Sequence, residues 1–147
     1  MGLPQFQGGQ DVKTVRRYFV GTTALRKGQQ LCYQENATKT DSDVNLRLGT
    51  AVEAINSDNA AFLAGIVPDT EAGKTGPCYV ELLVPQSGDV VDAEVNGATD
   101  VAAADLLEID ATKGCFIKAT AAAGDALFRS FEAETSDTKV VHRVLRI

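Results

Sequence analysis

The amino-acid sequence predicts an all-β fold: a small β-barrel or β-sandwich of short strands, with an extended N-terminal arm and at most one short helix. Two observations predict this class. About ten short apolar segments follow one another, and clusters of Gly, Pro, Asn, Asp and Ser separate them roughly every 8–12 residues. With 147 residues, 44% of them hydrophobic, the chain can bury enough surface to fold without a metal ion or a disulfide.

Residues 1–13 form the predicted arm. They contain three Gly, three Gln and one Pro and show no hydrophobic periodicity, which favours extended, irregular backbone. Leu3 and Phe6 flank Pro4 as isolated apolar anchors, and terminal segments of this kind often order against a neighbouring molecule. Residues 14–147 are predicted to form a single β domain.

The strands are predicted from apolar runs and alternations that stop at turn residues. The clearest alternation lies in residues 78–85, where Cys78, Val80, Leu82 and Val84 share one face. The predicted strands span residues 14–20, 30–35, 49–55, 60–68, 78–85, 90–95, 105–110, 114–120, 126–134 and 139–147.

Three other segments complete the prediction. Residues 36–47 are polar and predict a loop. Residues 98–107 are where one short helix could form, and residues 50–64 have a weak helical alternative to their strands.

An internal similarity leaves two interpretations open. Residues 53–58 match residues 132–137 at four of six positions, and residues 30–33 and 105–109 could be equivalent strands. The chain then consists of two pseudo-repeated β-units, or short strand–turn–strand segments resemble each other by chance. Either interpretation concerns architecture and not chemistry.

Composition excludes several classes of function. A net charge of −6 argues against sequence-independent binding to nucleic acid or anionic lipid, because both need a dense basic face. No apolar run approaches the roughly 18–20 residues of a membrane span, and the first residues lack the basic and apolar regions of a secretory signal. The expected partners therefore include no nucleic acid and no membrane.

The three cysteines and the lone histidine offer little chemistry. Cys32, Cys78 and Cys115 are odd in number, widely spaced and without a C-x-x-C pair, which predicts neither a zinc site nor a disulfide framework. We expect buried, reduced thiols in strands, as in a protein folded in a cytosol. The alternative, a Cys nucleophile, would need His142 as its base, and His142 is more simply a strand-surface or interface residue.

Two further motifs are rejected. Gly73-Lys74-Thr75 lacks the upstream Gly of a phosphate-binding loop, because that position is Pro68. The carboxylates that begin at Asp41 lack the spacing of a calcium loop. We therefore expect no cofactor, no metal and no catalytic residue, and the chain is not predicted to be an enzyme.

What remains is a pattern of short strands rich in small residues. Residues 103–119 form a strand–turn–strand pattern, followed by residues 124–135, and together they resemble the C-terminal halves of head decoration (capsid cement) proteins of tailed phages. Residues 20–33 and 48–52 resemble the first β-unit of that family. The resemblance covers most of residues 18–147.

The resemblance implies a structural virion protein, made in the host cytoplasm, that binds the outer capsid surface as a homotrimer. It would stabilise the shell by bridging subunits of the major capsid protein. The expected contacts are Leu3, Pro4 and Phe6 of the arm and the densest basic stretch, which comprises Arg16, Arg17, Arg26 and Lys27. The alternative for these four charges is a solvated strand face and turn.

Two other functions stay open. One is a different virion β-module, such as a tail or head-completion component, which would be present in far fewer copies per particle. The other is a β-sandwich that binds a ligand or carbohydrate, against which the aromatic content of only 6% argues.

Overall fold

The computed structural model describes residues 11–34, 51–120 and 126–147. Ten strands lie in these residues, each overlapping a segment predicted as a strand, and the all-β class is confirmed. The predicted loop at residues 36–47 and the first ten residues of the predicted arm lie outside the described residues.

Five strands close into a first small barrel. They are β1 (Thr14–Phe19), β2 (Gln30–Tyr33), β3 (Val52–Ala54), β4 (Leu63–Ile66) and β5 (Cys78–Leu83). Around the barrel their order is β1-β3-β2-β4-β5. β1 pairs antiparallel with β5 along its whole length and parallel with β3 at its end, which closes the sheet on itself.

The other five strands close into a second barrel. They are β6 (Val90–Asn96), β7 (Leu106–Asp110), β8 (Cys115–Lys118), β9 (Phe128–Ser130) and β10 (Lys139–Arg146). Their order is β6-β8-β7-β9-β10. β10 pairs on one side with β6 from Lys139 to Leu145 and on the other with β9 from Val144 to Arg146.

The two barrels have the same strand order. If β1 to β5 are matched with β6 to β10 in sequence, every pairing of the first barrel recurs in the second, including the single parallel one. Residues 30–33 and 105–109 fall on the matched strands β2 and β7. The similar residues 53–58 and 132–137 do not match, because the first segment begins within β3 and the second follows β9, and these two strands are not equivalent. The boundary between an arm at 1–13 and a domain at 14–147 stays a prediction.

Each barrel has its own core, and the two cores meet along one face of the first barrel. Val80 and Leu82 of β5 alternate into the first core, with Phe19 and Leu31. The next residue, Leu83, instead joins the second core. Residues of the first barrel and its approach that pack there are Val12, Leu63, Ile66 and Leu83. We call this contact the seam.

The predicted short helix is in a different place. Residues 98–107 form turns and an isolated bridge between Val101 and Glu134, and β7 begins within them. Asp100 and Ala104 have positive φ angles of 54° and 73°, which interrupt helical backbone, so the helix interpretation of this segment is wrong. A single turn of 3₁₀ helix occurs instead at Asp69–Glu71. In the three described ranges, no helix is long and apolar enough to span a membrane.

Candidate interaction surfaces

The structure places four of the seven predicted contact residues. The three apolar residues of the arm lie outside the described residues: Leu3, Pro4 and Phe6. The basic residues are divided between strand β1, which carries Arg16 and Arg17, and the connection from β1 to β2, which carries Arg26 and Lys27.

Arg16 lies on the outer face of the first barrel beside two tyrosines. Its guanidinium carbon is 4.7 Å from the centroid of the Tyr79 ring. That ring meets the Tyr18 ring edge to face, with centroids 5.1 Å apart, and Tyr79 remains 45% exposed. Exposed arginine and aromatic side chains are enriched in protein–protein interfaces. We call Arg16, Tyr18 and Tyr79 the Arg16 cluster.

Arg17 has its contacts within the first barrel. Its Nε donates a hydrogen bond of 3.1 Å to the hydroxyl of Tyr33, and its Nη1 donates one of 2.9 Å to the carbonyl oxygen of Arg16. Arg17 alternates with Arg16 along β1, so the two side chains leave the strand on opposite faces. The adjacent charges therefore do not act as one basic patch.

Arg26 and Lys27 connect the two barrels. Arg26 makes a bidentate pair with Glu94 of β6, with distances of 2.8 Å from Nε and 3.0 Å from Nη2. The hydrogen bond to Glu94 raises the pKa of Arg26. Glu94 is only 3% exposed, and a buried carboxylate needs such a partner. Lys27 lies 3.3 Å from Asp92 on the same strand.

The backbone reinforces this connection. Gly28 has a φ of +81°, a conformation that favours glycine, and a Cβ there would lie 3.2 Å from the backbone of Ala93. The close approach lets the amide of Glu94 donate a 2.8 Å hydrogen bond to the carbonyl oxygen of Gly28. Beside it, Nε2 of buried Gln30 donates to the carbonyl oxygen of Glu94.

A cleft opens between the barrels next to this connection. Its volume is about 170 Å³, and its walls include Thr22, Arg26 and Gln29 from the first barrel and Gly114 and Lys139 from the second. That volume is below the roughly 300–1,000 Å³ of typical small-molecule sites. In the described part of the chain, no group of three or more His, Cys, Asp or Glu side chains is arranged to hold a metal ion.

Two of the three thiols are buried as predicted. Cys32 and Cys115 are buried and Cys78 is partly buried, all three lie in strands, and all are unpaired. Burial raises the pKa of the Cys32 thiol to about 12 and that of Cys115 to about 11. Both therefore remain neutral thiols near pH 7, which weighs against a role as a nucleophile.

His142 on β10 is held between two carboxylates of the connection from β9 to β10. Its Nδ1 lies 2.8 Å from Glu132 and its Nε2 lies 2.7 Å from Glu134. Burial alone would lower the pKa of His142, but the hydrogen bonds with Glu134 and then Glu132 outweigh it and raise the pKa. Both ring nitrogens can donate only in the imidazolium form, so this histidine is poorly suited to act as a general base.

An exposed apolar surface of the second barrel was not predicted. It lies on the outward face of β9 and β10 and their flanking residues. Its members are Leu127, Arg129, Phe131, Val141, Arg143, Leu145 and Ile147, which we call the β9–β10 strip. Four of its apolar side chains are 40–47% exposed.

A sequence signal for this surface exists. Residues 139–147 are apolar on both faces, since Val140 and Val144 alternate with Val141 and Leu145. A strand that faces core on one side and water on the other normally shows polar residues on its second face. The pattern thus indicates a strand with two faces to cover, whereas barrel closure covers only one.

No family model matches the sequence, and neither does any curated protein.

Proposed function

We propose that this protein is a decoration, or cement, protein of a tailed-phage head. It binds the outer surface of the capsid as a homotrimer and stabilises the shell by bridging subunits of the major capsid protein. The proposal rests on the resemblance of residues 18–147 to that family and on the surface that adjoins the predicted arm. It involves no catalysis and no cofactor.

The Arg16 cluster is the observation that carries the proposal. Two of its members, Arg16 and Tyr18, lie on β1, the strand that directly follows residues 1–13. Residue 13, where the predicted arm ends, is three positions before Arg16, so the arm and the cluster adjoin along the chain. Tyr79 and Arg16 supply the apolar area and the positive charge that an acidic capsid surface would meet.

The other predicted cations have a smaller part in this proposal. Arg26 and Lys27 already neutralise Glu94 and Asp92, so binding an acidic partner there would break or share an existing ion pair. Arg17 is bonded to Tyr33. We therefore assign the charged part of the capsid contact to Arg16.

A cement protein needs affinity for one state of its partner and no chemistry. A protein that binds the expanded shell but not its precursor stabilises the expanded shell by mass action. Three arms on one trimer, and many trimers on one lattice, add avidity, so a modest contact at each Arg16 cluster is sufficient.

The test is sedimentation of purified protein with expanded empty heads and, separately, with unexpanded precursor heads. The wild-type protein should pellet with expanded heads at a high, saturable copy number and stay in solution with the precursor. Deletion of residues 1–10 should abolish pelleting. This deletion retains Val12, which packs at the seam, so the fold should survive.

A matched pair of point variants locates the charged contact. Arg16→Gln should weaken head binding by about tenfold, the scale of one interfacial residue worth just over 1 kcal/mol. Lys139→Gln removes the same charge from an exposed position on the second barrel and should leave binding unchanged. Full occupancy by the truncated protein, or equal binding by both point variants, would contradict this assignment.

A further inference from the structure

The cleft between the two barrels contains a lysine whose charge is not neutralised. Lys139 begins β10 and lines the cleft together with Gly114. Its Nζ atom lies against the Gly114 backbone, because a Cβ at Gly114 would be 3.2 Å from Nζ. Among the described residues, Lys139 makes no ion pair.

The carboxylates around Lys139 are already bound to other cations. Asp92 and Glu94 of β6 lie on the same face of the sheet as Lys139, and Asp137 precedes Lys139 by two residues. Each has a partner of its own: Asp92 pairs with Lys27, Glu94 with Arg26 and Asp137 with Lys113. The positive charge of Lys139 therefore remains available to a ligand of the cleft.

A buried amide supplies a second donor to the cleft. Gln29 is only 6% exposed and lines the cleft from the first barrel. Its Oε1 accepts a 3.1 Å hydrogen bond from the amide of Arg26, which fixes which end of the side-chain amide is the oxygen. Within the described part of the chain, Nε2 of Gln29 donates to no other group. Buried polar side chains normally have a partner, so this group indicates that the cleft takes an acceptor.

Arg26 and two threonines add further donors. The pair with Glu94 uses Nε and Nη2 of Arg26, and a guanidinium has five N–H groups, so Nη1 is left over. The side chains of Thr22 and Thr23 also line the cleft. Donors from both barrels thus converge on one space.

The cleft is poor in negative charge and limited in size. None of its lining residues in the described ranges is Asp or Glu, although the chain contains 20 of them. Its volume of about 170 Å³ is several times the roughly 30 Å³ that one water molecule occupies. A compact anion of a few heavy atoms fits such a space, whereas a drug-sized ligand does not.

We propose that this cleft binds a phosphate group, through Lys139, Arg26, Gln29 and the two threonine hydroxyls. A tetrahedral phosphate accepts hydrogen bonds from several directions, which suits donors that approach from two barrels, and bonds to Lys and Arg are strengthened by charge. Free phosphate and a phosphate monoester share this chemistry. The inference goes beyond the proposed function and does not rest on it.

Titration of the purified protein with inorganic phosphate tests the site. Isothermal titration calorimetry would measure the affinity, and amide shifts in nuclear magnetic resonance spectra would locate the binding, both with chloride at matched ionic strength. The variants are Lys139→Gln and Lys139→Arg. Lys13→Gln is the matched control, because Lys13 is also exposed and makes no ion pair among the described residues, but lies outside the cleft.

The wild-type protein should bind one phosphate per chain, with amide shifts at residues 22, 29, 114 and 139. Lys139→Gln should weaken binding by about tenfold or more, the scale of one charge-assisted hydrogen bond. Lys139→Arg and Lys13→Gln should bind within a few-fold of the wild type. The absence of saturable binding at millimolar phosphate, equal weakening in Lys13→Gln, or shifts confined to another surface would overturn the inference.

Two further ligands define the chemical class. Glycerol 3-phosphate that binds as tightly as inorganic phosphate would support a monoester as the natural ligand, and exclusion of this ester would support the free ion. Acetate that binds more tightly than phosphate would refute the assignment of a phosphate group.

Sedimentation with expanded heads separates this inference from the proposed function. Lys139→Gln should lose phosphate affinity and still pellet with heads, since Lys139 is remote in sequence from the arm and outside the Arg16 cluster. Wild-type protein that binds phosphate but does not pellet with heads would support the inference and refute the proposed function. Protein that pellets with heads but does not bind phosphate would do the reverse.

Discussion

The two barrels share one strand order but differ in what their outer faces do. In the first barrel, the β4–β5 face is covered, because Ile66 and Leu83 pack into the core of the second barrel. In the second barrel, the matched β9–β10 face leaves Phe131 and Val141 exposed to solvent. The same topology therefore leaves the same face of each barrel open for packing, and the outward side chains on that face determine whether another part of the chain covers it.

The difference extends to charge. The outer side of β6 presents Glu94 and Asp92 to cations of the first barrel. The matched strand β1 presents Arg16, which stacks on Tyr79 at the surface. The outer side of this strand is therefore covered within the molecule in one unit, whereas in the other unit it is exposed at Arg16.

The largest expected effect on stability is at the seam, and the tyrosines of the chain provide a fluorescence signal that can follow it. All three tyrosines, Tyr18, Tyr33 and Tyr79, lie in the first barrel, so tyrosine fluorescence follows that barrel while far-ultraviolet circular dichroism follows both. In urea, the two signals of the wild type should change together, because the two cores meet at the seam.

Leu83→Ala should cost about 3 kcal/mol and separate the two signals, since it opens a cavity between the barrels. Leu82→Ala, its neighbour in the first core, should cost a similar amount and leave the signals coincident. Coincident transitions in Leu83→Ala would show that the barrels are coupled elsewhere.

The next largest effect on stability compares the ion pair between Arg26 and buried Glu94 with the more exposed pair between Lys27 and Asp92. Arg26→Ala leaves the buried carboxylate of Glu94 without its cation and should lower the free energy of unfolding by about 3 kcal/mol. This figure is at the low end for buried pairs, because the Arg26 side chain is 42% exposed. Lys27→Ala, one residue away, should cost less than about 1 kcal/mol in the same urea experiment. Equal losses would mean that burial of Glu94 is unimportant.

A smaller effect on stability, which depends on pH, is expected at His142 of the second barrel. Its pKa is raised in the folded protein, so its stabilising contribution is complete below its unfolded pKa, about 6.5, and is lost as pH rises through the folded pKa. The facing carboxylates act oppositely. A backbone hydrogen bond from Ser136 and the bond with His142 lower the pKa of Glu134 to about 2, and the amide of Arg143 and then His142 lower that of Glu132.

Glu132 and Glu134 therefore contribute to the stability of the fold above about pH 4.5, and this contribution is lost in acid. The residue opposite His142 on β6 is Ala93, which adds no charge. The stability difference between wild type and His142→Gln should be largest between about pH 5 and 6 and should shrink toward pH 9. Thermal unfolding across this range would measure it, and a difference that grows with pH would contradict the arrangement.

The smallest effect is at the Arg16 cluster. Tyr79→Leu should cost about 0.5–1 kcal/mol, the usual value of an exposed cation–π contact, whereas Tyr79→Phe retains the ring and should cost less. Urea unfolding measures both. A loss of several kcal/mol in Tyr79→Leu would indicate that the cluster supports the fold rather than a partner contact.

Much of the fold could be predicted because its signals are local. Alternation in residues 78–85 identified β5 and its buried face, and turn residues separated the ten strands. The failure at residues 98–107 has a local cause as well: an alanine-rich run has high helix propensity, but here Ala104 is fixed at a positive φ by bonds to Ser130 and Arg129.

The interaction surfaces were harder to predict. A basic stretch containing Arg26 and Lys27 has the same sequence whether its charges face solvent or a carboxylate. Glu94 is 68 positions from Arg26, and no feature of either segment specifies the other. The exposure of Phe131 likewise depends on which barrel face remains uncovered.

By itself, the sequence determined the all-β class, the positions of the strands and the burial of Cys32 and Cys115, because side-chain alternation and turn residues act over a few neighbouring positions. Only the tertiary structure decided that ten strands close into two barrels of equal order, that Leu83 leaves its own core for the next, and that Leu145 faces a groove instead. These outcomes depend on contacts between distant segments, whose free energies are settled only when the whole chain has packed.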